Sequence, residues 1–216
     1  MSGVTAGPVS LTSDALLTFV LAVATVLLVS FFIGSVNPAA IFARMLGKSL
    51  ATGSGNPGAT NAGRVLGLRW GVVVGLLDVL KGFVPVWVCA TTFGPLVAYT
   101  AGIAAVLGHI FSPFLRGRGG KGVATALGVV LGVHPVLVLV VVLVFGIGVL
   151  LGRQVAAGSV AAALALLVFG ATSFLGVTGD GPLTGVWAVT LGVIVVTRHT
   201  PNIRGWLARA GPSPTD

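Results

Sequence analysis

The sequence predicts an all-α integral membrane protein of seven short transmembrane helices, with its N-terminus outside and its C-terminus in the cytoplasm. Three observations carry that expectation. Of the 216 residues, 56% are hydrophobic and only 7% are charged, and the mean hydropathy is +1.10. A soluble domain covers its surface with about a quarter charged residues, so the solvent for this chain has to be lipid. Apolar runs of spanning length alternate with polar breaks along the chain. The basic residues fall almost entirely in every second break, as the positive-inside bias requires.

In order, the apolar runs cover about 16–43, 70–92, 96–114, 123–133, 136–151, 155–175 and 183–196. The fourth and fifth adjoin at 132–135, where Pro135 interrupts the hydrogen-bond ladder. They are either two short helices or one long kinked helix, and charge decides between these. With seven spans and the N-terminus outside, the inner loops are roughly 44–69, 115–122, 152–154 and 197–216. Those loops hold eleven of the twelve Lys and Arg residues, all but Lys81. A six-span reading would put Arg153 and the basic tail outside. Residues 1–13 carry no Lys or Arg, unlike the start of a secretory signal. The first apolar run is therefore read as a retained span. The expected organisation is an extracytoplasmic tail at 1–13, one membrane domain at 14–204 and a cytoplasmic tail at 205–216.

The net charge of +8 is explained by topology, because the sequence offers no soluble domain to carry nucleic-acid binding. Cys89 is the only cysteine and lies in an apolar run, which excludes an internal disulfide and suits a small packing residue. The histidines are scattered, with no metal-site spacing. Inside the second span, Asp78 and Lys81 sit three residues apart and face each other on a helix. Intramembrane charges are a functional hint by default. The pair is either a lock for the bundle or part of a site, and Lys81 lies too deep to be the first choice for substrate contact.

Three polar islands fall on the predicted cytoplasmic side. The first is Gly53, Ser54, Gly55, Asn56, Pro57, Gly58, Ala59, Thr60 and Asn61, followed by Arg64. Its glycines let backbone N–H groups approach an anion, its Ser, Thr and Asn residues add donors, and Arg64 adds a fork suited to phosphate. A helix start here would favour an anion further. The second runs from Gly108 and His109 to Arg116-Gly117-Arg118-Gly119-Gly120-Lys121-Gly122. It is not a nucleotide-binding loop, since Gly122 stands where Ser or Thr would hold magnesium. A Gly119-Gly120-Lys121 turn still presents an ammonium beside backbone donors. The third is Arg198-His199-Thr200-Pro201-Asn202-Ile203-Arg204, where His199 and Asn202 share a helical face unless Pro201 distorts it. No island holds a carboxylate, nor a nucleophile beside a base. Chemistry here would work by positioning and charge stabilisation on a substrate that carries its own leaving group.

The islands resemble the three signature motifs of the bacterial acyl-phosphate:glycerol-3-phosphate acyltransferases. The matching stretches are Gly53–Asn61 with Arg64, Gly108-His109 through Lys121-Gly122-Val123-Ala124-Thr125, and Arg198-His199-x-x-Asn202-Ile203. Gly34-Ser35 with Pro38, and Asp78-x-x-Lys81-Gly82, fit the same pattern. The resemblance implies a seven-helix enzyme of the bacterial plasma membrane, with its active site on the cytoplasmic side. Its partners would be acyl phosphate, glycerol 3-phosphate and membrane lipids, with no metal or other cofactor. It would move a fatty acyl group from acyl phosphate to the 1-hydroxyl of glycerol 3-phosphate, giving lysophosphatidic acid and phosphate, the first step of phospholipid synthesis. Ser54, Gly55, Asn56, Gly58, Asn61, Gly119 and Gly120 would then surround phosphate, with Arg64 and Lys121 supplying charge. His199 and Asn202 would orient the glycerol moiety. One departure stands out: Ala156 occupies a place after Arg153 where the family usually has a serine, and Ser159 comes one helical turn later. The competing reading from another class is a phosphate or organophosphate transporter, which tends to show internal repeats and a mid-membrane site. No convincing repeat is present, and the islands gather on one side.

Overall fold

The computed structural model describes residues 13–210. The expected outer tail therefore lies outside the described residues, except for Ser13. Among the described residues the regular structure is helical, joined by loops: α1 Ser13–Ser35, α2 Pro38–Met45, α3 Ala59–Leu66, α4 Leu68–Thr92, α5 Pro95–Ile110, α6 Val123–Val133, α7 Pro135–Gly152, α8 Val155–Phe174, α9 Gly181–Arg198 and α10 Thr200–Ala210. Among the described residues six segments are long and apolar enough to cross a membrane. They are α1 continued by α2, α4, α5 with the short turn after it, α7, α8 and α9.

The other apolar helix, α6, has 11 residues. At 1.5 Å per residue it rises about 16 Å, near half the hydrocarbon thickness of a bilayer. His134 separates it from α7, and Pro135 occupies the first position of α7, where its missing N–H leaves nothing unpaired. Runs four and five are thus two helices. At that corner Tyr99 Oη lies 2.8 Å from His134 Nε2 and 2.9 Å from Thr184 Oγ1, which joins the corner to α5 and α9.

The first apolar run differs from the continuous span expected to residue 43. It breaks after Ser35, because Pro38 disfavours helical geometry in the residue before it. Asn37 turns the break into a new helix start, its side chain accepting from the Ala40 amide at 2.8 Å. The carbonyls at the end of α1 find partners elsewhere. Ser112 Oγ donates to Ser35 O at 2.7 Å, and Lys81 Nζ donates to Val36 O at 2.6 Å.

The bundle packs α1 on α5, α4 on α6, α7 on α8 and α8 on α9, with the small helix α3 against α4. Gly34 of α1 and Gly108 of α5 make the first of these contacts close, since a methyl group on either would strike the other helix's backbone. Val86, Val106, Val129, Ala188 and Leu191 form part of a buried core with Cys89 at its edge. The outward faces stay apolar, with Leu139, Leu143 and Leu150 largely exposed for lipid. At the other end of the chain, α10 runs unbroken across the expected domain edge at residue 204.

Candidate active site

The chain order of the helices brings one end of every long helix to the same side, and the three islands meet there. The first island is a fixed loop. Asn61, buried in α3, accepts from the Ser54 amide and donates to the Leu50 carbonyl, both at 2.8 Å. Asn37 donates to the Pro57 carbonyl at 2.9 Å, which ties the loop to the break after α1. Gly58 starts α3 without a side-chain cap, so the amides of Ala59, Thr60 and Asn61 have no acceptor within the helix. These residues line a cavity together with Ser54, Asn56, Gly58 and Arg64. A helix start lined with free amides beside an arginine attracts an anion. Gly55 stands elsewhere. With φ of +73° it turns the loop, and its amide donates to the Leu50 carbonyl at 3.2 Å, away from the cavity wall.

The second island contributes Lys121 to the same cavity. Gly119 and Gly120 do not offer their amides to it as expected. The Gly119 amide donates to Ile110 O at 2.9 Å and the Gly120 amide to His109 O at 3.2 Å, so both are spent inside the fold. Gly122 takes a left-handed conformation at φ +82°, which starts α6 directly after Lys121.

From the third island, His199 closes α9 and Asn202 lies in the first turn of α10. Pro201 fits that first turn, where no amide partner is required, and both side chains line the cavity. Lys121 Nζ donates to Asn202 Oδ1 at 2.5 Å. His199 Nδ1 lies 2.8 Å from the Val195 carbonyl. A carbonyl only accepts, so Nδ1 carries the proton and the neutral ring keeps Nε2 as an acceptor. Burial holds the proton affinity of His199 down and outweighs the Val195 carbonyl, with Lys121 and Arg198 adding to the effect. Burial, and then Arg198, lower Lys121 as well. An ammonium so placed gains from an arriving phosphate.

The cavity has a volume of about 570 Å³ and two characters. Its polar head is built from the three islands. Its apolar arm runs between α6, α7 and α8 past Leu127, Val130, Val141, Phe145, Ala162 and Leu166. Two further polar residues of the head, Asp78 and His109, were not singled out as site residues by the sequence. The Asp78–Lys81 spacing and the Gly108-His109 pair were the available signals. Lys81 stands outside the cavity wall, 2.9 Å from Asp78 Oδ1. Ala156 and Ser159 both line the cavity, and Ser159 Oγ donates to the Val155 carbonyl at 3.0 Å.

A cationic polar head joined to an apolar arm, within helices of spanning length, defines a membrane protein with an amphiphilic cavity. The comparisons make that class specific. The family model described as glycerol-3-phosphate acyltransferase matches residues 24–209. A glycerol-3-phosphate acyltransferase of Geobacter sulfurreducens is 43% identical over 180 residues, covering 82% of this chain and 89% of the relative. One from Aquifex aeolicus is 39% identical over 178 residues, covering 81% and 90%. The crystal structure of PlsY, an integral membrane glycerol 3-phosphate acyltransferase, superposes in its glycerol 3-phosphate form with a TM-score of 0.81 at 35% identity, covering 90% of this chain and 96% of that one. Its lysophosphatidic acid form gives 0.78 at 37% identity, covering 87% and 92%. The chain belongs to the glycerol-3-phosphate acyltransferase family.

Proposed function

We propose that this protein transfers a fatty acyl group from acyl phosphate to the 1-hydroxyl of glycerol 3-phosphate, releasing lysophosphatidic acid and inorganic phosphate. Family membership puts acyl transfer ahead of the transporter reading. The observation that carries the mechanism is the cavity itself, in which the cations Arg64 and Lys121 meet His199, and an apolar arm leads away from them. The arm takes the acyl chain, and the head takes two phosphate groups.

One phosphate sits on the free amides at the start of α3, with Ser54, Asn56 and Arg64. The other sits against Lys121, held by Asn202. The glycerol 1-hydroxyl attacks the acyl carbon, and the bond from that carbon to the phosphate oxygen breaks. The proton passes to His199 Nε2 or to the departing phosphate. The donor is a mixed anhydride with a good leaving group, so no enzyme nucleophile is needed. The protein contributes alignment of hydroxyl and carbonyl and neutralisation of phosphate charge.

The chain lies in a bacterial plasma membrane with seven crossings, N-terminus outside, and the site opening to the cytoplasm. The gathering of eleven of the twelve basic residues into alternate loops supports this orientation. The deciding experiment is phosphate release by purified protein given palmitoyl phosphate, with and without glycerol 3-phosphate. Release that requires glycerol 3-phosphate and yields lysophosphatidic acid is expected. Release without the acceptor, or none at all, would overturn the reading.

A further inference from the structure

A buried polar chain runs from the cavity head, where Asp78 and His109 line it, back to Lys81, and is not used by the mechanism above. Lys81 Nζ donates to Val36 O at 2.6 Å and lies 2.9 Å from Asp78 Oδ1. His109 Nδ1 faces the same carboxylate oxygen at 3.5 Å and has no hydrogen-bond partner among the described residues. Asp78 and His109 are 1% and 4% exposed. A carboxylate in such a place is costly to bury and repels arriving phosphates, so bulk packing is a poor reason for it.

The other side of the His109 ring supplies the reason. The Gly119-Gly120 turn rests on this residue twice. Both glycine amides donate to carbonyls of His109 and Ile110. The Gly120 α-carbon also lies so close to the ring that a methyl group there would overlap Nε2 and Cε1. The next residue in the chain is Lys121, whose ammonium meets Asn202.

We propose that Asp78 and His109 are positioning residues for Lys121. Lys81 fixes Asp78, Asp78 orients the His109 ring, the ring carries the Gly119-Gly120 turn, and the turn sets the reach of the Lys121 ammonium. The inference rests on the reading of Lys121 as a phosphate anchor. An anchor contributes to ground-state and transition-state binding alike, so its misplacement raises KM more than it lowers kcat.

The test is a double-mutant cycle between positions 109 and 120, read as kcat/KM with palmitoyl phosphate and glycerol 3-phosphate. Gly120→Ala drives a methyl into the ring and is expected to lower kcat/KM about thirtyfold. His109→Ala removes the support and is expected to lower it about tenfold. In the double variant the methyl has room, so the loss stays within about threefold of His109→Ala alone. Losses that multiply overturn the proposal. A second variant covers the case in which Gly120→Ala does not fold. His109→Phe keeps a ring under the turn but gives Asp78 nothing to orient. It is expected to raise KM for a phosphate substrate about fivefold, with kcat and the thermal midpoint little changed. Unchanged KM there also overturns the proposal. Lys121→Ala, assayed alongside, separates the two readings. Turnover retained in that variant removes the role of Lys121 itself. Turnover lost, with multiplying losses at 109 and 120, overturns the positioning alone.

Discussion

Asn202→Asp is the most informative single change, because it alters charge while keeping shape. Asn202 Oδ1 sits 2.5 Å from Lys121 Nζ. A phosphate oxygen on the far side of that ammonium would lie about 2.8 Å from it, which puts a new carboxylate roughly 5 Å from the phosphate. At an effective dielectric constant near 20, two unit negative charges at that distance repel by about 3 kcal/mol. That corresponds to a fall in kcat/KM of roughly a hundredfold. The new carboxylate also pairs with Lys121 in the free protein, so the thermal midpoint should hold or rise. Asn202→Ala removes the hold on Lys121 without adding repulsion, and should cost clearly less. The assay is glycerol 3-phosphate-dependent phosphate release, with the midpoint measured on the same preparations. If Asn202→Asp stays within fivefold of the wild type, or if alanine and aspartate are equally damaging, no phosphate binds beside Lys121.

Four further outcomes are expected. Arg64→Ala should abolish detectable turnover with an unchanged thermal midpoint, because Arg64 is exposed, lines the cavity and makes no side-chain hydrogen bond among the described residues. His199 must be neutral for Nε2 to accept, and its proton affinity is lowered in the fold. Activity should therefore be full above the ordinary histidine value of about 6.5 and fall only as pH drops through a lower value. Arg198→Gln, which removes one of the depressing charges, should move that acid limb to higher pH in a kcat/KM profile. Asn61→Ala leaves the Ser54 amide without its acceptor and takes from the Leu50 carbonyl a donor it otherwise shares with the Gly53 and Gly55 amides, which should lower stability by about 1–3 kcal/mol and raise KM for a phosphate substrate. Ala162→Leu adds bulk to the apolar arm and should reduce use of palmitoyl phosphate by about tenfold while sparing an eight-carbon donor, measured by parallel kcat/KM values.

Much of the site was legible because its residues come in short local runs. Ser54, Asn56, Gly58, Arg64, Lys121, His199 and Asn202 all stand around one cavity. What the runs did not reveal is which way a glycine amide points. The same Gly-rich spelling serves an amide aimed at a ligand and one aimed inward, and Gly55, Gly119 and Gly120 are of the second kind. Asn61 illustrates a related ambiguity. A donor in a phosphate loop can bind the ligand or hold the loop, and its two hydrogen bonds are internal. Asp78 stood out by its spacing from Lys81 and His109 by its place in the second island, but their meeting depends on how α4 packs against α5, which no local spacing encodes. The break after Ser35 was within reach of the sequence, since Asn37-Pro38 is a helix-start signal inside an apolar run. The strength of the hydropathy hid it.

The short helix α6 would account for how one cavity could serve both ends of the proposed amphiphile. A full-length span would lift the Gly120-Lys121 turn to the membrane surface and leave the apolar arm behind it. With 11 residues, α6 starts just after Lys121, which lines the same cavity as Asp78, a residue ten positions, or about 15 Å, along α4. Thr125 packs against Gly82 at the same depth, where a methyl on Gly82 would strike its carbonyl. A phosphate at Lys121 is then recessed among the helices, where charge interactions are stronger than at the surface. Leu127 and Val130 follow within two turns on the same helix and begin the apolar arm. Only Gly122 separates Lys121 from α6, so the cation of the head and the first wall of the arm are close neighbours along the chain. That closeness would suit the donor proposed above, in which phosphate and acyl chain are joined at the reacting carbon.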